Sequence, residues 1–295
     1  MSNGKTWLEV SLNGPWSRDR QPLIPISVAE IVEQGVACAQ AGAAIIHVHA
    51  YDEHTGRQKD DADTYAAIIE GIREHVDVVV YPTLPFSGSS DSRKPMSAQA
   101  RFQHVEELAK RGLLEWGVVD PGSTHIADLL HVAQGKEGFT YANPESHIRL
   151  GLNLAVEYNF HPSFAIYEPA FLRLGAAFER SFETIPQPVY RLMFSSGLSF
   201  GFPPADYALE AYLKLLERET PQAPWMIAGL DVDIAPLIEL AVSRGGHIRV
   251  GLEDAPFQST RTNVQWTEDA VRSITSFNGE VATADDVRAA LSATR

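Results

Sequence analysis

The chain has 295 residues, 44% of them hydrophobic and 21% charged, enough to bury a large core as one barrel or as two smaller domains. Its 24 basic and 38 acidic side chains give a net charge of −14, a field that repels polyanions and argues against a nucleic-acid partner. Met1–Thr6 has no apolar core of signal-peptide length and no apolar stretch approaches a membrane span; with one cysteine, Cys38, no internal disulfide is possible, so a reducing cytoplasm is the expected location.

Short apolar runs alternate with helical patterns from end to end. The expected strands are β1 (Trp7–Leu12), β2 (Ala44–His49), β3 (Val78–Tyr81), β4 (Trp116–Val119), β5 (Ser163–Tyr167), β6 (Val189–Phe194), β7 (Pro224–Ile227) and β8 (His247–Leu252). The first helix, Val28–Ala41, has a start signal: Ser27 and Glu30 fit a capping box before the apolar pair Val32 and Val36. Cys38 lies on its Ala-rich face and reads as a small packing residue. Further helices are expected over Asp63–His75, Ser97–Arg111, Pro144–Tyr158, Ala170–Arg180, Ala205–Arg218, Ile234–Arg244 and Val264–Ser276, with a short last one over Asp285–Leu291.

Eight strands interleaved with helices predict a single (β/α)8 TIM barrel over residues 1–295. A doubly wound open sheet is weakened by the lack of a Gly-x-Gly-x-x-Gly turn after β1. The longer loops, Asn13–Pro25, Pro82–Pro95 and Ser195–Pro204, all follow strands, which puts them on the face where barrel enzymes carry their chemistry.

The strongest local signal is His47-Val48-His49 at the end of an apolar strand. Residues i and i+2 leave a strand on the same face, so both imidazoles can serve one metal ion. A third candidate ligand ends the last strand, His247-Ile248-Arg249-Val250-Gly251-Leu252-Glu253-Asp254. In a closed barrel β8 meets β1, beside β2, so Glu253 can join His47 and His49 at the barrel mouth. Two histidines and one carboxylate leave a coordination position open, as in catalytic zinc sites; iron(II) uses the same set, and other divalent ions accept these donor types.

Arg249 is a guanidinium inside a strand and needs a carboxylate partner if buried. Asp254 offers one if the chain bends back after Glu253, and Glu9 offers another across the barrel. Two roles stay open: a bridge that only stabilises the core, or a group that orients Asp254 as a base or meets developing negative charge near the metal. His54, His75, His104, His125, His131, His147 and His161 fall in loops or helices and read mostly as solvent-facing or capping residues. Asp52 and Asp60 flank a turn that explains them adequately. The Ser195-Ser196-Gly197 stretch with Gly201 reads either as an amide nest for a phosphate or carbonyl or as a loop without a ligand.

Taken together, His47-Val48-His49 with Asp52 and Gly56-Arg57, Gly246 through Asp254, Tyr167-Glu168-Pro169, Ala228-Gly229 and Val281-Ala282-Thr283 resemble the β-keto acid cleavage enzymes, in that family's order over nearly the whole chain. The resemblance implies a zinc-bound TIM barrel, a homo-oligomer (tetramer or dimer), that exchanges groups between a β-keto acid and acetyl-CoA to give acetoacetate and a new CoA ester. It implies His47, His49 and Glu253 as zinc ligands and Asp254 as general base, supported by Arg249. It also marks Asn13, Thr83, Asp120 and Gly122 as substrate-binding positions.

The chain departs from the family around the substrate. Thr-Gly-Ala after β1 becomes Asn13-Gly14-Pro15-Trp16, the Ser/Thr-Thr-Gly-Gly turn after β3 becomes Pro82-Thr83-Leu84-Pro85, and Asn-Ala-Gly after β4 becomes Asp120-Pro121-Gly122. These changes imply a different β-keto acid, larger or carrying a basic group that Asp120 would pair with. Two other classes stand beside this one: another metal-dependent lyase or hydrolase on the same barrel, and a non-catalytic metal-binding barrel.

Overall fold

The computed structural model describes residues 4–85 and 96–293. All eight expected strands form: β1 (Leu8–Ser11), β2 (Ile45–Val48), β3 (Val79–Pro82), β4 (Trp116–Val118), β5 (His161–Ile166), β6 (Val189–Phe194), β7 (Trp225–Gly229) and β8 (His247–Val250). They make one parallel sheet in the order β3-β2-β1-β8-β7-β6-β5-β4, with helices in the connections. This is a nearly closed TIM barrel. The ladder is open between β3 and β4, where the rings of Tyr81 and Trp116 pack across the gap at 5.8 Å.

Most helices start where the sequence places them, because their caps are local. Ser27 accepts from the Glu30 amide while the Glu30 carboxylate accepts from the Ser27 amide, the expected capping box. Thr262 and Thr283 do the same for Asn263–Ser276 and Ala284–Ser292. The expected helix Ile234–Arg244 divides into a 3-10 turn, Ala235–Leu237, and a helix, Ile238–Ser243, with Pro236 unable to donate in the first turn. Cys38 is buried, and burial pushes its thiol up to about 12, which leaves it an inert packing group.

Two hairpins have no sequence-level counterpart: Tyr51–Asp52 with Arg57–Gln58, and Thr124–Ile126 with Phe139–Tyr141. Strands of two or three residues are too short to show a period. A five-residue helix, Leu129–Ala133, sits inside the second hairpin. The loop expected over Pro82–Pro95 lies outside the described residues from position 86 onward. Among the described residues no helix is long and apolar enough to cross a membrane.

β8 ends two residues earlier than its apolar run. Gly251 has φ 127°, and a Cβ there would stand 2.2 Å from the Ser11 carbonyl oxygen. Only glycine tolerates both, so the strand turns sharply at this point. The turn carries Glu253 and Asp254 back over the barrel mouth.

At the opposite end of β8, His247 stacks on Trp7 at 3.9 Å and its Nδ1 accepts from the Trp7 amide. Burial pushes its pKa down to about 3. The folded protein therefore keeps His247 neutral at pH values where the unfolded imidazole, titrating near 6.5, takes up a proton. Stability that is full above about pH 6.5 is lost as pH falls toward 3, at about 1.4 kcal/mol per pH unit from this residue. His247→Asn keeps an acceptor but binds no proton. Its urea-unfolding free energy should fall less than wild type's between pH 7 and pH 5; equal slopes would remove His247 from the account.

Candidate active site

The inner wall of the barrel carries the charges. On β1, Glu9 pairs in register with Arg249 of β8, and Ser11 with His47 of β2. Both bridges foreseen for Arg249 are present. Its Nη1 donates to Glu9 Oε1 at 3.1 Å, and its Nε and Nη2 hold Asp254 at 2.9 and 2.8 Å. Nη2 also stands 3.0 Å from Glu253 Oε2. These carboxylates outweigh burial and hold Arg249 well above its ordinary pKa. Glu9 is fully buried and takes a second donor, the Tyr81 hydroxyl at 2.5 Å.

His47, His49 and Glu253 converge on one point. Their ligand atoms all lie within 4.8 Å of one another, and the two Nε2 atoms face Glu253 at 3.5 and 3.4 Å. Burial, reinforced by Arg249 and opposed by Glu253, holds His47 far below the usual histidine range, so it is neutral. Burial would raise Glu253, but Arg249 and the two histidines outweigh it and keep the carboxylate ionised. His49 Nδ1 lies 2.9 Å from Gln58 Oε1. That oxygen accepts, so Nδ1 donates to it and the ring is held with Nε2 toward the cluster.

This donor set fits a divalent cation. Neutral imidazoles and an ionised carboxylate are the forms that ligate; among the described residues His49 Nε2 is buried without a hydrogen-bond partner, and Glu253 Oε2 meets only the Arg249 charge and the His47 ring.

Local sequence explains the placement. Gly14, at φ 64°, sits so close that a Cβ would meet Glu253 Cγ at 2.6 Å. Trp16 Nε1 donates to the Glu253 carbonyl, and the Tyr51 hydroxyl donates to the Trp16 carbonyl. The first hairpin brings Tyr51 and Gln58 to the site, and the Asp52 side chain caps its turn by accepting from the His54 and Thr55 amides.

A cleft opens beside the cluster, lined in part by Trp16, Thr83, Asp120, Tyr167, Arg191 and Arg249. Of the expected substrate-binding positions, Thr83 and Asp120 face it, and Asn13 and Gly122 do not. The Asn13 amide is spent on the backbone of His49, donating to its carbonyl and accepting from its N–H. The Gly122 carbonyl accepts from Asn143, and a Cβ there would strike Phe171. Asp120 accepts from the Tyr141 hydroxyl at 2.6 Å and the Ala165 amide at 2.9 Å, so it is anchored rather than waiting for a basic substituent. Asp254 is buried behind Arg249 and does not line the cleft; burial pushes its pKa up to about 6 against the pull of Arg249.

Sequence reasoning missed Arg191, Tyr81, Gln58 and Tyr141. Arg191 had a usable signal, a cation inside the apolar strand Val189–Phe194, the same argument that singled out Arg249. The others depend on hairpins or on the meeting of distant strands. His104 and His147 are buried, not solvent-facing; His104 Nε2 contacts the Thr83 carbonyl at 2.8 Å. The Ser195–Pro204 loop is tied down, with the Gly201 amide donating to Glu168 and the Leu198 amide to Ser195 Oγ.

Comparison with known proteins bears on this geometry. The family description for the beta-keto acid cleavage enzymes matches residues 5–292. A 3-keto-5-aminohexanoate cleavage enzyme of Fusobacterium nucleatum is 24% identical over 282 residues, covering 94% of this chain and 93% of that protein. A 3-oxoadipate:acetyl-CoA acetyltransferase of Cupriavidus necator is 25% identical over 252 residues, covering 84% and 79%. Among solved structures, the binary complex of ObcA with oxaloacetate superposes with a TM-score of 0.67 at 14% identity, over 92% of this chain and 67% of that one.

Proposed function

This chain belongs to the beta-keto acid cleavage enzyme family, and on that premise we propose that it exchanges acyl groups between a β-keto acid and acetyl-CoA. The carbon–carbon bond between the keto carbon and the CH2–carboxylate carbon breaks, and the released acyl group ends on CoA. The acetyl group takes its place on that carbon, which yields acetoacetate and a new CoA ester with no redox change. The relatives named above for acetyl-CoA and keto-acid chemistry support this reading.

The observation that carries it is the convergence of His47, His49 and Glu253 beside a cleft that Arg249 also lines. We assign these three residues as ligands of a divalent ion. Two imidazoles with one carboxylate suit zinc, and iron(II) accepts the same set. When bound, the ion would polarise a keto carbonyl as a Lewis acid. Arg249, fixed by Glu9 and Asp254, presents its remaining charge to negative charge developing in the cleft. Asp254 is our candidate base, with a pKa near 6 suited to accepting a proton close to neutral pH; its pair with Arg249 opens to bring it to the cleft.

The test is a panel of β-keto acids incubated with and without acetyl-CoA, read by mass spectrometry for acetoacetate and new CoA esters. Acetyl-CoA-dependent formation of both products is expected. Keto-acid loss that ignores acetyl-CoA, or no loss at all, would remove this reaction. A second measurement probes the ligand geometry: Gln58→Leu leaves His49 Nδ1 without its acceptor and should weaken metal retention by roughly 10- to 100-fold in chelator competition. Unchanged retention would mean that Gln58 does not orient His49.

A further inference from the structure

Arg191 lies in the interior of β6 and lines the cleft. It is only 3% exposed. Among the described residues its Nε has no hydrogen-bond partner and no carboxylate forms an ion pair with its guanidinium. Arg249 is the opposite case, gripped by Glu9, Glu253 and Asp254. Glu9 and Asp120 favour the Arg191 charge only through space, and both hold other donors: Glu9 Oε1 takes Tyr81 and Arg249, and Asp120 takes Tyr141 and the Ala165 amide. A guanidinium withdrawn from water without a partner is destabilising, and a ligand that brings its own anion removes that cost.

Position narrows the ligand. In the strand order, β6 stands four places from β2, directly across the eight-stranded barrel. Arg191 therefore faces the cluster of His47, His49 and Glu253 from the far side of the cleft. The cleft is walled by Trp16, Leu84, Tyr141 and Tyr167 around its charged groups, and Arg191 lies inside a strand rather than on a mouth loop, so the group it meets is the end of a small substrate that has entered the barrel. An acid whose reactive end lies at the histidine cluster has its other end at Arg191.

We propose that the cleft is built for a β-keto dicarboxylate, with Arg191 binding the carboxylate remote from the reacting carbonyl. This rests on the keto-acid reading above and adds the substrate class. It also reverses the charge expected from Asp120: the free group in the cleft is a cation, so the substrate's extra group is an anion.

Two six-carbon acids that differ only in the distal carboxylate, 3-oxoadipate and 3-oxohexanoate, test this with acetyl-CoA on wild type, Arg191→Met and Arg191→Lys. Unreactive adipate and hexanoate provide a parallel binding comparison by calorimetry. Wild type should prefer 3-oxoadipate by about 100-fold in kcat/KM. Arg191→Met should lose most of that preference through KM, lose adipate affinity to match, and spare 3-oxohexanoate; Arg191→Lys should restore part of both. Ligand-free Arg191→Met should melt close to wild type, since no ion pair of Arg191 is lost. Equal handling of the two acids by wild type would overturn the proposal, as would unchanged adipate binding in Arg191→Met or a lower melting temperature with unchanged affinity. If neither keto acid is turned over, the wider panel decides the acyl-exchange reading, and the adipate–hexanoate comparison still decides the role of Arg191.

Discussion

Glu253→Gln is expected to abolish metal retention and reduce kcat/KM by at least about 1,000-fold, several kcal/mol of transition-state stabilisation. The glutamine side chain has nearly the same shape but neither the charge nor the second acceptor oxygen. Glu253 is placed by three separate constraints: the turn at Gly251, the close approach of Gly14, and the Trp16 indole on its carbonyl. None of them depends on the carboxylate, so the fold should survive the substitution. Metal analysis of protein purified without chelator, alongside His47→Ala, reads the outcome directly. Metal content unchanged in both variants would end the assignment of the cluster as a metal centre.

The second large effect is at Asp254. Asp254→Asn should keep its metal, because Asp254 is not one of the three converging residues, yet lose roughly 100- to 10,000-fold in kcat. The substitution separates two roles. As a base, Asp254 must accept a proton, which asparagine cannot do. As a positioning residue, it needs only to hold Arg249, and an asparagine oxygen keeps one acceptor for the Nη2 or Nε donor that now meets Asp254. Turnover within about tenfold of wild type would therefore assign Asp254 to positioning and place the base elsewhere. Stability should fall in either case, since the bidentate pair on a buried guanidinium is broken.

Much of the site was legible because its signals are short and local. The i, i+2 spacing of His47 and His49 needs only a strand, and the parity of Glu9, Arg249 and Glu253 needs only a closed barrel. The bend that lets Asp254 meet Arg249 was foreseeable as a condition, and Gly251 supplies the means. The expectations for Asn13 and Gly122 came from positions equivalent to substrate contacts elsewhere in the family. In this chain the Asn13 amide holds the His49 backbone and Gly122 packs against Phe171. Nothing in a linear sequence says which way a loop amide turns.

The sequence by itself determined the strand and helix order, the barrel, the caps and the convergence of His47, His49 and Glu253. Each follows from periodicity, from side-chain parity or from hydrogen bonds within four residues. Only the tertiary structure decided which charges have partners. It joined Asp120 to Tyr141 through a hairpin too short to leave a pattern, added Glu253 to the Glu9 and Asp254 already expected for Arg249, and left Arg191 without a carboxylate partner among the described residues. The reason is physical: the energy of a buried charge depends on what lies within a few ångströms of it, and those neighbours come from strands far apart in the chain.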